Sequence, residues 1–294
     1  MENIVKETKF ILNKYNLKAN KSLGQNFLIN KEVLETIVNS AEITENDLVI
    51  EIGPGLGTLT EFLLEKAKKV ICVELDENMV KVLQDRFMLY KNLEIINEDV
   101  LKLDLNQIIK EERQKQNIEN VKIVANLPYY ITTPIVMKLL EEKLDIESIT
   151  IMIQKEVADR LIDKPGGKNC GAITYSINYY SEPQGIMEVD KSSFIPEPEV
   201  TSKVLKLKIR KTPNIKVENP DKMFKIIKCA FLQRRKTLLN ALVLLNCLAV
   251  PLVLHLLVLS YTPLYISFIP PVSVVLIICQ QKFPNLTLLW PAVE

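Results

Sequence analysis

Glu51-Ile52-Gly53-Pro54-Gly55-Leu56-Gly57 is the stretch that decides the fold of this chain. The apolar run before it reads as a buried strand over 47–52, and the residues after it open a helix from Thr58 to about Lys66. Three glycines at alternate positions let the backbone come close to a ligand. The helix that follows offers its N-terminus. The dinucleotide fingerprint is G-x-G-x-x-G, whereas the spacing here is G-x-G-x-G, which favours a nucleoside lacking a pyrophosphate. Taken alone, the stretch also reads as a plain tight turn.

Working outward, strands and helices alternate. Residues 3–15 have helical spacing, and 21–29 read as a loop. Asn30 caps a helix reaching Ala41, with Val33, Leu34, Ile37 and Val38 on one face. Strands are expected over 70–74, 93–97, 121–125 and 148–153, with helices over 77–90, 105–115, 134–142 and 156–163. Such strand–helix units in series imply an α/β fold, a parallel sheet with helices on both faces. Right-handed crossovers place every strand's carboxyl end along one edge, where ligands of such sheets bind.

The informative residues fall at that edge. Glu74 ends the second strand, where a carboxylate can accept from both ribose hydroxyls. Considered singly, it also reads as a surface strand-end acid. Asp99 follows the third strand and could accept from an adenine amine, or serve as a turn residue. Asn126-Leu127-Pro128-Tyr129 follows the fourth. An adenine exocyclic amine is a poor nucleophile because its lone pair is delocalised into the ring. Two acceptors holding its N–H groups favour the pyramidal amine, and the Asn126 side-chain oxygen and Leu127 carbonyl could be those acceptors. Pro128 fixes the backbone without adding a donor. Tyr129 offers a face on which a flipped-out base can stack. The bland alternative is a buried Asn-Pro turn beside core aromatics.

At 294 residues the chain holds one large domain or two modest ones. With 48% apolar and 25% charged residues it is neither a disordered tail, a collagen-like repeat nor a small disulfide scaffold. The net charge of +1 conceals an uneven distribution. Residues 203–236 carry twelve Lys/Arg against Glu218 and Asp221, whereas residues 1–202 carry 24 against 33. A basic stretch on an acidic body is a candidate nucleic-acid face, or an ordinary solvated one. Cys72, Cys170, Cys229, Cys247 and Cys279 are widely spaced, which fits neither a zinc site nor a disulfide framework, so no metal is expected. The cysteines and the lack of a secretory signal in residues 1–20 point to the cytoplasm. Residues 241–294 differ from the rest: they hold two charges, Lys282 and Glu294, and no glycine. Three readings compete for this tail. They are a membrane span over 241–259, a buried helical subdomain, or sequence foreign to the first 240 residues through a shifted frame or chimeric join. The composition favours the last, and no membrane association is expected unless the tail is genuine.

The ordered motifs resemble the small-subunit ribosomal RNA adenine dimethyltransferases of the KsgA/RsmA type, relatives of the Erm enzymes. Lys21-Ser22-Leu23-Gly24-Gln25-Asn26-Phe27-Leu28 is similar to the family's N-terminal cofactor motif, and residues 51–60 to its glycine loop. Val73-Glu74-Leu75-Asp76, Asp99-Val100-Leu101 and Asn126-Leu127-Pro128-Tyr129-Tyr130 follow in the family's order. Gln154-Lys155-Glu156-Val157-Ala158-Asp159-Arg160 resembles the next block, and Phe194-Ile195-Pro196-Glu197-Pro198-Glu199-Val200 the family's F-x-P-x-P-x-V loop. Phe231-Leu232-Gln233-Arg234-Arg235-Lys236-Thr237-Leu238 resembles the basic helix of the C-terminal domain.

The resemblance implies a Rossmann-like class I methyltransferase sheet over residues 1–210. A basic helical RNA-binding domain would begin at 211–242, and an atypical tail would fill 243–294. It implies S-adenosyl-L-methionine as methyl donor, held by Asn26, Leu28, Gly53, Glu74, Asp99 and Asn126. The catalytic residues would be Asn126, Leu127, Pro128 and Tyr129, and the RNA-binding residues Arg234, Arg235 and Lys236. The implied reaction is dimethylation of two adjacent adenines near the 3′ end of 16S ribosomal RNA in the small ribosomal subunit, by a monomer. Alternatives are an Erm-like enzyme acting on large-subunit RNA, a ribosome-assembly factor with dispensable catalysis, and, from the glycine loop alone, a dinucleotide-dependent oxidoreductase. The long block 194–238 favours the small-subunit reading. Cys170 departs from the family's common aromatic residue and reads as tolerated packing. Changing Arg234, Arg235 and Lys236 together to Ala is expected to weaken RNA binding and flatten its salt dependence. An unchanged salt slope in a filter-binding titration would move the RNA face elsewhere.

Overall fold

The computed structural model describes residues 2–20 and 23–232. Lys21, Ser22, Arg234, Arg235, Lys236 and the tail 243–294 lie outside the described residues. The chain forms two compact units, one of Met1–Ile162 with Ser181–Ile209, the other beginning with Asp163–Tyr180 and resuming at Arg210.

In the first unit, α1 (Glu2–Lys14) and β1 (Phe27–Leu28) lead into α2 (Lys31–Ser40). Asn30 caps α2, its side chain accepting the Glu32 N–H at 3.1 Å, and Val33, Leu34, Ile37 and Val38 are buried. There follow β2 (Leu48–Ile52), α3 (Thr58–Leu64), β3 (Lys69–Glu74), α4 (Glu77–Arg86), β4 (Leu93–Asn97) and α5 (Leu105–Lys115). Next come β5 (Val121–Asn126), α6 (Thr132–Glu141), β6 (Ser148–Gln154) and α7 (Lys155–Ile162). The strand order is β4-β3-β2-β5-β6, all parallel. Every residue of β2 is buried, as expected of a parallel strand covered on both faces. The direction of winding reverses between β2 and β5, which is where ligands of open parallel sheets bind.

The sheet is not wholly parallel. β9 (Ser202–Ile209) joins β6 antiparallel, and β7 (Ser181–Val189) pairs antiparallel with β9, making seven strands. Within the expected loop 21–29, Phe27–Leu28 pairs with β8 (Phe194–Ile195). Two residues are too short to show a period, and their partner is far away in sequence. The helix expected over 77–90 ends at Arg86, because Phe87 leaves the helical region and packs its ring against Gly57.

In the second unit, α8 (Ala172–Tyr180) and α9 (Pro220–Leu232) share an aromatic cluster. Tyr179 meets Phe224 edge-on at 5.3 Å, and Tyr180 stacks on Phe224 at 5.6 Å. Residues 163–180 therefore group with the chain after Arg210.

The amino edge of the sheet is closed by a buried ion pair. Lys122 Nζ lies 2.8 Å from Asp47 and 3.4 Å from Glu147, and also donates to the Glu42 carbonyl. Burial works to raise the Asp47 carboxyl, but the Lys122 ammonium and the Thr44 N–H outweigh it and hold it below the usual range. Its stabilisation is present above the ordinary carboxylate pKa and is lost as pH falls below it. Lys122→Ala strands the Asp47 charge and should lower stability by about 3–5 kcal/mol. A urea midpoint indistinguishable from the parent would show that the pair is not the fastening of this edge.

Candidate functional site

β2, β3 and β5 end within one residue of one another, whereas β6 runs on past Met152, the partner of Asn126, to Gln154. Ile52 pairs with Val73 on one side and Ala125 on the other, so the chain leaves the sheet level at Gly53, Glu74 and Asn126. Gly53, Gly55 and Gly57 all sit at positive φ, which side chains resist. A Cβ on Gly57 would lie 2.5 Å from the Phe87 ring, and one on Gly55 3.4 Å from the Phe27 ring. The loop is thus shaped by close approach on both flanks.

Glu74 fastens the loop to β3. Its Oε2 accepts the Gly55 N–H at 3.0 Å and its Oε1 accepts the Asp76 N–H at 2.9 Å. Burial raises its carboxyl, and those two N–H groups oppose the rise. Asp76 caps α4 and accepts from the Gln25 amide at 2.9 Å, bringing residues 23–28 over the same edge. Asp99 Oδ1 accepts the Leu101 N–H at 2.9 Å, so it serves as a turn residue while facing the site.

Asn126 Nδ2 donates to the Asn26 carbonyl at 3.3 Å. That carbonyl can only accept, so the amide's Oδ1 is turned the other way. Leu127 N–H donates to the Met152 carbonyl at 3.1 Å, and the Pro128 carbonyl accepts the Thr132 hydroxyl at 3.1 Å. Tyr129 is half-buried, its hydroxyl 2.8 Å from Ser202 Oγ.

One cavity gathers these positions. Asn26, Leu28, Gly53, Glu74, Asp99 and Asn126 line it, and so do Leu127, Pro128 and Tyr129. Phe194, Phe27 and Tyr130, which stand in the sequence motifs but have no assigned role there, also line it. Phe194 arrives from β8, and the only sequence signal for it was the F-x-P-x-P-x-V loop. Glu51 was quoted within the glycine stretch but given no place. It lines the cavity, 1% exposed, with Oε2 accepting the Thr60 hydroxyl at 2.6 Å and the Cys72 thiol at 3.4 Å. Among the described residues, no group of three or more His, Cys, Asp or Glu could hold a metal, and no helix is long and apolar enough to cross a membrane.

Comparison with known proteins places this geometry. The model of the family "Ribosomal RNA adenine dimethylase" matches residues 16–249. A protein of Alkaliphilus oremlandii named ribosomal RNA small subunit methyltransferase A is 51% identical over 237 residues, 81% of this chain and 82% of that one. The protein of that name from Bacillus licheniformis is 48% identical, covering 80% of each. Among solved structures, a dimethyladenosine transferase from Plasmodium falciparum superposes with a TM-score of 0.63 at 26% identity, covering 87% of this chain and 89% of that one. The 23S rRNA methyltransferase ErmE superposes with a TM-score of 0.59 at 25% identity, covering 74% and 84%. The sheet is that of the Rossmann-like class I methyltransferases.

The buried Glu51 gives the site a pH signature. Burial pushes its carboxyl from an ordinary 4.5 up to about 7, against the pull of Thr60 and Cys72. The folded state therefore holds a proton that the unfolded chain has released. Stability should fall as pH rises from about 4.5 to about 7 and level off above. Glu51→Gln should remove that loss, a gain of about 3 kcal/mol at pH 8 and none at pH 4. Melting profiles of the two proteins that run parallel across this range would refute the assignment.

Proposed function

The chain belongs to the ribosomal RNA adenine dimethylase family and is a methyltransferase, and we propose that its substrate is a pair of adjacent adenines near the 3′ end of 16S ribosomal RNA in the small ribosomal subunit. The carrying observation is the convergence of the four strand ends on a single cavity, with the Asn126 amide oriented by the Asn26 carbonyl. The likeness to relatives named for the small subunit is about twice that to ErmE in identity, which supports the small-subunit reading over the large-subunit one.

The residues suit S-adenosyl-L-methionine. Gly53 lines the cavity and leaves open the space that a Cβ would take 4.0 Å from the Asn126 carbonyl, and the buried Glu74 carboxylate keeps lone pairs beyond those given to Gly55 and Asp76 for a ribose diol. Asn26, Leu28, Gly53, Glu74, Asp99 and Asn126 would hold it. When bound, it supplies a sulfonium-borne methyl group that an amine can attack.

The chain's own residues prepare the amine. Asn126 Oδ1 and the Leu127 carbonyl accept its two N–H groups before the first transfer and the one that remains before the second, drawing its lone pair out of conjugation with the ring, and the proton displaced at each transfer passes to solvent. The bonds on Leu127 N–H and the Pro128 carbonyl keep the backbone from yielding as this happens. Tyr129 receives the flat face of the base, and the half-buried cavity strengthens each polar contact. Positioning is the main contribution, as no covalent intermediate is required. Such an enzyme meets its substrate in the cytoplasm during ribosome assembly, and the basic sequence stretch that includes Arg234, Arg235 and Lys236 suits the RNA backbone.

Asn126→Ala should abolish methyl transfer to undermethylated small subunits while changing S-adenosyl-L-methionine affinity by less than about tenfold, ~1.4 kcal/mol. Wild-type turnover in that variant would overturn the role. The cofactor is checked separately by melting: S-adenosyl-L-methionine should raise the melting temperature, and NAD should not. Methylation of large subunits in preference to small ones would favour the ErmE-like reading.

A further inference from the structure

The loop after β5 has its backbone fastened, but a stacking platform also needs its ring held in place. Tyr129 is joined at its far end to a residue 73 positions away, with 2.8 Å between its hydroxyl and Ser202 Oγ. Ser202 is the first residue of β9 and is 1% exposed. Its backbone pairs with Gln154 of β6 on one side and Val189 of β7 on the other. The preceding carbonyl, of Thr201, accepts the Lys155 N–H at 3.0 Å. The serine hydroxyl is therefore a fixed point of the sheet.

We propose that Ser202 is a positioning residue for methyl transfer, acting by holding the Tyr129 ring at the wall of the cavity. A tyrosine hydroxyl lies on the axis through Cβ and Cγ. A bond there does not stop the ring from flipping, which presents an equivalent face, but it stops the ring from swinging about χ1. The Ser202 hydroxyl is withdrawn from water, and partial burial raises the Tyr129 hydroxyl while Ser202 opposes the rise. Swinging the ring away would strand a buried hydroxyl on the sheet, which costs free energy. Ser202 thus couples the antiparallel extension of the sheet to the loop that carries Asn126. It also ties the residue two places after the Phe194–Val200 loop to the site.

The inference rests on the proposed role of Tyr129 as the base-stacking face, so the test separates the two. The variants are Ser202→Ala, Ser202→Thr, Tyr129→Phe, Tyr129→Ala and the Ser202→Ala/Tyr129→Phe double, made in the full chain. They are assayed on undermethylated small subunits for kcat and for the KM of S-adenosyl-L-methionine. Ser202→Ala and Tyr129→Phe should each lower kcat by about tenfold with the cofactor KM within about twofold. Ser202→Thr, which keeps the hydroxyl, should restore most of the rate. The double variant should be no slower than the slower single, because both remove one bond. Multiplying effects in the double variant would overturn the proposal, as would a wild-type kcat in Ser202→Ala alongside a slowed Tyr129→Ala. If Ser202→Ala folds poorly, Tyr129→Phe deletes the same bond from the exposed side, and an unchanged kcat there overturns it equally. A wild-type kcat in Tyr129→Ala would instead remove the stacking role itself.

Discussion

The level ending of β2, β3 and β5 is the constraint on which this molecule depends. β2 has a parallel neighbour on each side in register, Ile52 lying opposite both Val73 and Ala125. A slip of one residue would turn each buried side chain to the other face of its strand. It would also lift Glu74 away from the Gly55 N–H that it accepts at 3.0 Å, and Asn126 away from the Asn26 carbonyl. The apolar burial that sets the register therefore also sets the chemistry.

The two edges of the sheet treat buried charge in opposite ways. At the amino edge Asp47 is matched by Lys122, and the pair lowers the carboxyl against its burial. At the carboxyl edge Glu51 and Glu74 are met by hydroxyl, thiol and backbone N–H groups, and both carboxyls are raised. A neutral donor satisfies a carboxylate less fully than an ammonium does, so the site end stores unfavourable free energy that the rest of the sheet must offset. Packing offsets it: β2, β3, β5 and β6 are buried along almost their whole length.

Legibility in the sequence followed locality. The five parallel strands could be read because each is a short apolar run separated from the next by a helical stretch, and the structure adds side-chain caps at two of those helices, Asp76 on α4 and Asp104 on α5. The strand-end residues could be read for the same reason. β7 could not: its burial shows no clean alternation, and it carries Pro183 and a register shift after Gly185. The β1–β8 pair was illegible because two residues carry no period. Phe194 reached the site through that pairing, and Ser202 through the strand order, so neither could be placed from neighbours in sequence. The shortening of α4 came from Phe87 filling the space behind Gly57, a tertiary demand that overrides helix propensity.

The two ends of the Asn126 side chain divide the site. Its Nδ2 is committed to Asn26, on the segment that also sets Phe27 against Gly55 and Gln25 against Asp76. Its Oδ1 is turned the other way, where the proposed reading puts the substrate amine. The segment that closes over the glycine loop is therefore the same one that aims the acceptor. An amide can do this where a carboxylate cannot, because only the amide carries a donor and an acceptor on one rigid plane. Aspartate at this position would repel the Asn26 carbonyl and lose its orientation, although its size is nearly the same. The requirement at the end of β5 is thus for an amide's two-sided polarity, and the fold supplies the fixed carbonyl that makes that polarity useful.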